Sequence, residues 1–300
     1  MFHSHLRPRH NEALSSPDAV SERQSAGESH CQPDRVKCDS PGFALKKFYL
    51  DAVTDAGDYF IGYAADLFFK RLSLGYADTV YSPELYGLRS GPKMGRGREP
   101  VWQNGALIWC HPGLGFEGRW SPLAPPRRVG LLSTPQGHVD WHCMQPAAKV
   151  SLETASGLVI EALGYCDHLT LTILPWQLGL TELIWGRFVS VSQSVVWIVW
   201  RGKHAMRLVL WNDNSTDCAD ISDGHVVTDD FALAIEPART LRQGSLSQNV
   251  LSKVPAAYRL APAAFLQVRE SKKLGRGILR MRDGHQHDGW VIHEKVTWPH

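Results

Sequence analysis

Several common signatures are missing from this chain. Its six cysteines, Cys31, Cys38, Cys110, Cys143, Cys166 and Cys218, form no Cys-x-x-Cys pair, so zinc-ribbon and thioredoxin-type readings lack their spacing. There is no Gly-x-Ser-x-Gly segment to carry a serine nucleophile. Charge of one sign is scarce in excess: 32 Lys and Arg face 30 Asp and Glu, a net +2, which leaves no footprint for nucleic acid. The longest apolar run, near 194–200, is too short to span a bilayer. The first residues, MFHSHLRPRHNEALSS, are charged and carry no apolar segment of a secretory signal. Reduced thiols and a cytoplasmic location are the expectation. The Gly- and Arg-rich stretch 86–104 neither follows a strand nor opens a helix, so a nucleotide-binding loop is excluded.

What is present is aromatic and apolar. The 300 residues hold 11 Trp, 8 Tyr and 10 Phe, with 43% hydrophobic and 21% charged residues, the balance of a folded globular chain. Residues 1–42 are polar, Pro-rich and without apolar periodicity, and are expected to be a disordered tail. From Phe43 onward, short apolar runs recur. Residues 43–50 and 60–69 flank the turn signal Thr54-Asp55-Ala56-Gly57-Asp58, which predicts a hairpin. Tyr59-Phe60-Ile61-Gly62-Tyr63-Ala64-Ala65 is apolar on both faces, as in a sheet covered on both sides. Further strands are expected at 101–109, 115–120, 148–152, 158–165, 169–174, 182–189, 194–200, 206–211, 231–235 and 239–242. One short helix fits within 252–265, limited by Pro255 and Pro262, and a last hairpin, 272–282 with 289–298, turns at Asp283-Gly284. Strands at this spacing, with no alternating helices, predict an all-β protein. Two β units are expected, 43–165 and 166–300.

The segment Glu161-Ala162-Leu163-Gly164-Tyr165-Cys166-Asp167-His168 concentrates ionisable groups at a strand end. Side chains alternate along a strand, so Tyr165 and Asp167 share a face and His168 points away. In apolar surroundings the Asp167 carboxyl would rise and could donate a proton near neutrality. The same Tyr-Asp-His trio could equally be a structural tie between strand ends. Upstream, His138, Asp140 and His142 fall on one strand face, a pattern that suits a transition metal or an ordinary polar surface. Arg187 could pair with Glu182 or with Asp167, and the second pairing would hold that carboxyl down. Trp197 and Trp200, three apart, should face opposite sides of one strand.

Gly164-Tyr165-Cys166-Asp167-His168 resembles the Gly-Tyr-x-Asp-His motif of the carotenoid 1,2-hydratase and AttH-like superfamily. Glu161, Trp185-Gly186-Arg187, Trp197-Ile198-Val199-Trp200-Arg201 and the Trp141-to-Pro146 stretch are similar to its flanking strands. Leu169-Thr170-Leu171 and Val139 depart from its pattern. The resemblance implies two lipocalin-like antiparallel β domains, no cofactor, no metal, and acid-catalysed addition of water or isomerisation at an isoprenoid double bond. It implies Asp167 as proton donor, Tyr165 as its helper and Trp141 as pocket wall; His168 is expected to assist as well, and Trp185, Arg187 and His142 are expected to contact the substrate. The expected partner is a small hydrophobic molecule; peripheral contact with a membrane is left open. The alternatives are a carrier that binds an apolar ligand without chemistry, and a metal-dependent hydrolase built on His138, Asp140 and His142.

Overall fold

The computed structural model describes residues 42–70, 72–95, 99–236, 238–249 and 261–299. The expected disordered tail therefore lies outside the described residues except for Gly42, as does most of the helix expected at 252–265. Two four-residue helices border that gap, α1 (Leu246–Asn249) and α2 (Ala263–Leu266).

The described chain is all-β, as the strand spacing predicts, and forms two curled antiparallel half-barrel sheets. The first contains β1 (Phe43–Val53), β2 (Tyr59–Phe69), β3 (Leu72–Tyr81), β4 (Lys93–Met94), β5 (Val101–Gln103), β6 (Ala106–His111), β7 (Phe116–Pro122), β8 (Arg127–Thr134), β9 (Gly137–Thr154) and β10 (Val159–Leu171). The second contains β11 (Leu180–Val189), β12 (Ser194–Gly202), β13 (Met206–Trp211), β14 (Asn214–Thr216), β15 (Asp220–Ile221), β16 (His225–Val227), β17 (Phe231–Ile235), β18 (Arg239–Ser245), β19 (Arg269–Met281) and β20 (Gln286–Thr297). The first sheet runs β4-β3-β2-β1-β10-β9-β7-β6-β5 with β8 on β9. The second runs β14-β13-β12-β11-β20-β19-β17-β16-β15 with β18 on β19. Each strand of the first sheet thus has a counterpart ten strands later, and the topology is present twice.

The chain passes between sheets over 172–179, through a 3-10 turn at Pro175–Gln177. The expected boundary at 165/166 falls inside β10, where residues 166–171 stay paired with β1 and β9. Strand continuity places the crossover later because Leu169 and Leu171 still face apolar neighbours.

Central β12 is buried on both faces over Ser194–Trp200, which is why it is apolar almost throughout, whereas β7 and β17 alternate buried with less buried residues. Leu50, Phe60, Trp109 and Trp120 form a core belonging to the first sheet. Phe188, Val195, Trp197 and Leu233 form one belonging to the second. A third cluster is shared: Tyr49, Ile61, Trp141 and Tyr165 meet Val196, Ile198, Trp200 and Ile292. Trp197 and Trp200 accordingly point to opposite faces of β12. The hairpin between β1 and β2 turns at Gly57 with φ +89°, where a Cβ would also lie 2.6 Å from the Trp290 ring; only glycine meets both demands.

Candidate functional site

Strands β9 and β10 carry the cluster that the sequence singled out. Their pairing shifts register between Gly164 and Cys166 and again between Cys166 and Asp167, an irregularity that re-aims side chains locally. Gly164 is pressed against β1: a Cβ there would sit 2.1 Å from the Asp51 carbonyl oxygen. On either side of Cys166, which turns into the core of the first sheet, Tyr165 and Asp167 face inward together.

The Tyr165 hydroxyl donates to Asp167 Oδ2 at 2.8 Å, and Trp141 Nε1 donates to the same oxygen at 3.0 Å. Oδ1 takes no hydrogen bond from the described residues. Asp167 is 8% exposed and Tyr165 is fully buried. Burial pushes the Asp167 carboxyl above its ordinary range, against the pull of the two donors and of the Lys47 and Lys272 charges. Burial and the Asp167 charge push the Tyr165 phenol well up as well, so Tyr165 remains a donor at any ordinary pH. The expected same-face pairing of Tyr165 and Asp167 is what the structure contains, and Trp141 joins them.

Trp185 reaches this cluster from β11, edge-on to Tyr165 at 5.5 Å and to Tyr49 at 4.9 Å. Arg187 does not reach it. Its fully buried guanidinium clasps Asp51, Nε to Oδ2 at 3.0 Å and Nη2 to Oδ1 at 2.6 Å, and Nη1 donates to the Trp290 carbonyl at 2.8 Å. Glu182 instead pairs with Arg201 at 3.1 Å and Lys295 at 2.7 Å. The guanidinium that could have held Asp167 down is thus engaged elsewhere.

His168 and His142 are register partners on the opposite face. The His168 ring lies 4.4 Å from that of Phe48. Burial, with Lys46 near one and Arg128 near the other, lowers both imidazoles to about 4. Neither shares the inner face with Asp167, because strand alternation sends them outward. His138 Nε2 lies 3.4 Å from Asp140 Oδ2 in a half-exposed pair, and His138 Nδ1 meets the Thr172 hydroxyl at 2.9 Å. Among the described residues no three His, Cys, Asp or Glu side chains converge as metal ligands, so His138, Asp140 and His142 do not form the triad that the strand pattern suggested.

The second sheet adds groups that sequence reasoning missed. Lys272, 1% exposed, donates to Glu294 at 2.7 Å. Its ammonium lies 4.7 Å from the Tyr49 ring centre and 5.1 Å from that of Trp185. Lys272 and the neighbouring cations hold Glu294 down to about 2. Arg242 donates to Glu270 at 2.9 Å and caps the Tyr63 ring at 5.0 Å. The one signal available was Glu270 and Lys272 at alternate positions beside Leu274 in β19; charged residues are rarely buried unless paired.

An open cavity of about 410 Å³, lined by Ser245, Leu266, Arg269, Thr297 and Trp298 among others, includes none of the residues around Asp167. No helix among the described residues is long and apolar enough to cross a membrane.

No family model matches the chain, and no curated protein matches it. Among solved structures it is similar to a protein of Nitrosomonas europaea assigned as AttH, at 11% identity over 85% of this chain and 92% of that one, TM-score 0.49. It is similar to CghA, solved with Sch210972, at 10% identity over 86% of this chain and 89% of that one, TM-score 0.46. It is also similar to kievitone hydratase from Nectria haematococca, at 11% identity over 85% of this chain and 89% of that one, TM-score 0.46.

Proposed function

We propose that the chain is a cofactor-independent hydratase or lyase that protonates a carbon–carbon double bond of a hydrophobic, isoprenoid-like substrate. Asp167 is the acid. The observation that carries this reading is a buried carboxyl, raised by desolvation, whose two hydrogen bonds both go to Oδ2. The proton is then left to Oδ1. Transfer of that proton to one alkene carbon leaves a carbocation on the other. Aromatic rings around Asp167, those of Trp141 and Tyr165 among them, favour a cation through their quadrupoles, while the ring faces of Tyr49 and Trp185 already carry the Lys272 ammonium. Water adds to the cation, and its surplus proton returns to Asp167. Tyr165 and Trp141 stabilise the carboxylate formed midway, and release it when the proton comes back. His168 and His142 have no part in these steps from the far face of the sheet, and Arg187 acts only through Asp51.

The test is incubation with acyclic carotenoids and terpenoids in D₂O. Turnover with one deuterium fixed on carbon, abolished by Asp167→Asn with ligand binding retained, supports the reading. Turnover that survives Asp167→Asn overturns it.

A non-catalytic carrier of apolar ligands is the second reading. It is favoured by the way the Trp141–Asp167–Tyr165 bonds also stitch β9 to β10. It is the outcome if ligand binds and no substrate turns over. The four described cysteines are free thiols.

A further inference from the structure

The inner face beside Asp167 is rich in hydrogen-bond donors and short of acceptors. The hydroxyls of Tyr49 and Tyr63 and Nε1 of Trp185 are buried without a partner among the described residues. Tyr49 is 4% exposed and Tyr63 is 6% exposed. Lys272 sends one N–H to Glu294; its other contacts are the Tyr49 and Trp185 ring faces, so two of its three N–H bonds find no oxygen among the described residues. These groups border one patch. The Tyr49 ring lies 5.6 Å from that of Tyr63, 4.9 Å from that of Trp185 and 4.7 Å from Lys272 Nζ. An indole N–H and an ammonium can only donate. Buried donors without acceptors are rare in folded proteins, and each carries a desolvation penalty that a suitable partner removes.

Resting on the proposed function, we infer that the substrate is not a bare hydrocarbon. It is an apolar molecule that carries an oxygen acceptor, a carbonyl or carboxylate, received by Tyr49, Tyr63, Trp185 and Lys272 while the double bond lies against Asp167. An unfunctionalised polyene would leave all of these donors empty. A carbonyl oxygen with its two lone pairs satisfies two of them, and a carboxylate satisfies more. The ring faces of Tyr49 and Trp185 carry the Lys272 ammonium, and their polar atoms serve the oxygen. Sites built around polar groups discriminate sharply against analogues that lack the matching atom.

The test uses three fifteen-carbon chains of one skeleton: farnesene, farnesal and farnesoate. Binding to the full chain is followed by tryptophan fluorescence. The expected result is affinity for farnesal and farnesoate at least about tenfold above that for farnesene, the scale of one satisfied buried donor. In Tyr49→Phe/Tyr63→Phe the preference should shrink several-fold while farnesene affinity is unchanged. The double variant loses no hydrogen bond of the unliganded protein, so its melting temperature should not fall. Equal binding of all three chains overturns the inference, as does binding of none. A preference that persists in the double variant overturns it, and so does a clear drop in melting temperature, which would reveal structural partners for the hydroxyls. Failure of deuterium incorporation with the oxygen preference intact would remove the acid-catalysis reading and leave this one standing.

Discussion

Asp51 and Arg187 occupy matching places in the two sheets and are bonded to each other. Asp51 opposes Ile61, two positions from the β1 terminus at Val53, and Arg187 opposes Val196, two positions from the β11 terminus at Val189. Two residues earlier, Tyr49 and Trp185 match in the same way and touch at 4.9 Å. Across the next strand, Asp167 faces Tyr49 and Glu294 faces Trp185. The duplicated topology therefore presents one acidic position twice with opposite electrostatics. Asp167 is raised by burial with neutral donors, whereas Lys272 fixes Glu294 as an anion.

Removing one partner of the Asp51–Arg187 clasp strands a buried charge. Arg187→Met should cost about 3–5 kcal/mol of stability, read as a lower urea midpoint. The double variant Asp51→Leu/Arg187→Met should recover most of that loss. A single variant as stable as the parent would contradict the isolation of this pair from water.

Asp167 has a raised carboxyl, so the folded state binds its proton more tightly than the unfolded state does. Its contribution to stability is full below the ordinary carboxylate range. It is lost as pH rises through the raised value. Asp167→Asn does not titrate and should gain on the parent across that interval, measured by chemical denaturation at a series of pH values. Trp141→Phe removes a donor to the carboxylate and should raise the Asp167 titration further, followed by carboxyl carbon NMR.

The histidine pair on the outer face acts with the opposite sign. His142 and His168 are held neutral down to about 4, so the unfolded chain takes up protons first as pH falls. Their contribution is full above the ordinary value of 6.5 and is lost between there and about 4. His142→Gln/His168→Gln should flatten the acid limb of the stability curve over that interval. A limb as steep as the parent's would contradict the assignment.

Gly186 sits against the Trp197 ring, with a would-be Cβ at 2.1 Å, and Gly62 against the Trp109 ring at 2.2 Å. Gly186→Ala and Gly62→Ala should each destabilise by about 1–3 kcal/mol through overpacking, seen as lower melting temperatures. Shaving the facing indole, as in Gly186→Ala/Trp197→Phe, should recover part of the loss.

The sequence by itself determined the all-β class, most strand positions, the turns at 54–58 and at Asp283-Gly284, and the inward pairing of Tyr165 with Asp167. These are local matters: period-2 alternation fixes which side chains share a face, and glycine fixes where the chain can reverse. It also separated Trp197 from Trp200 by counting along one strand. Only the tertiary structure decided the partners. Along the chain Glu182 and Asp167 are the nearer partners for Arg187, yet it meets Asp51, 136 residues away, because the two sheets bring matching positions face to face. His138, Asp140 and His142 share a strand face without forming a ligand triad, since a common face does not make side chains converge. The twofold topology left no repeat legible in the residues, for a β-sheet asks only for alternation and burial, which many sequences supply. Lys272, Glu294, Arg242 and Glu270 read as surface charges along their strands. Packing of one sheet on the other buried them, and that long-range contact is what makes them part of the site.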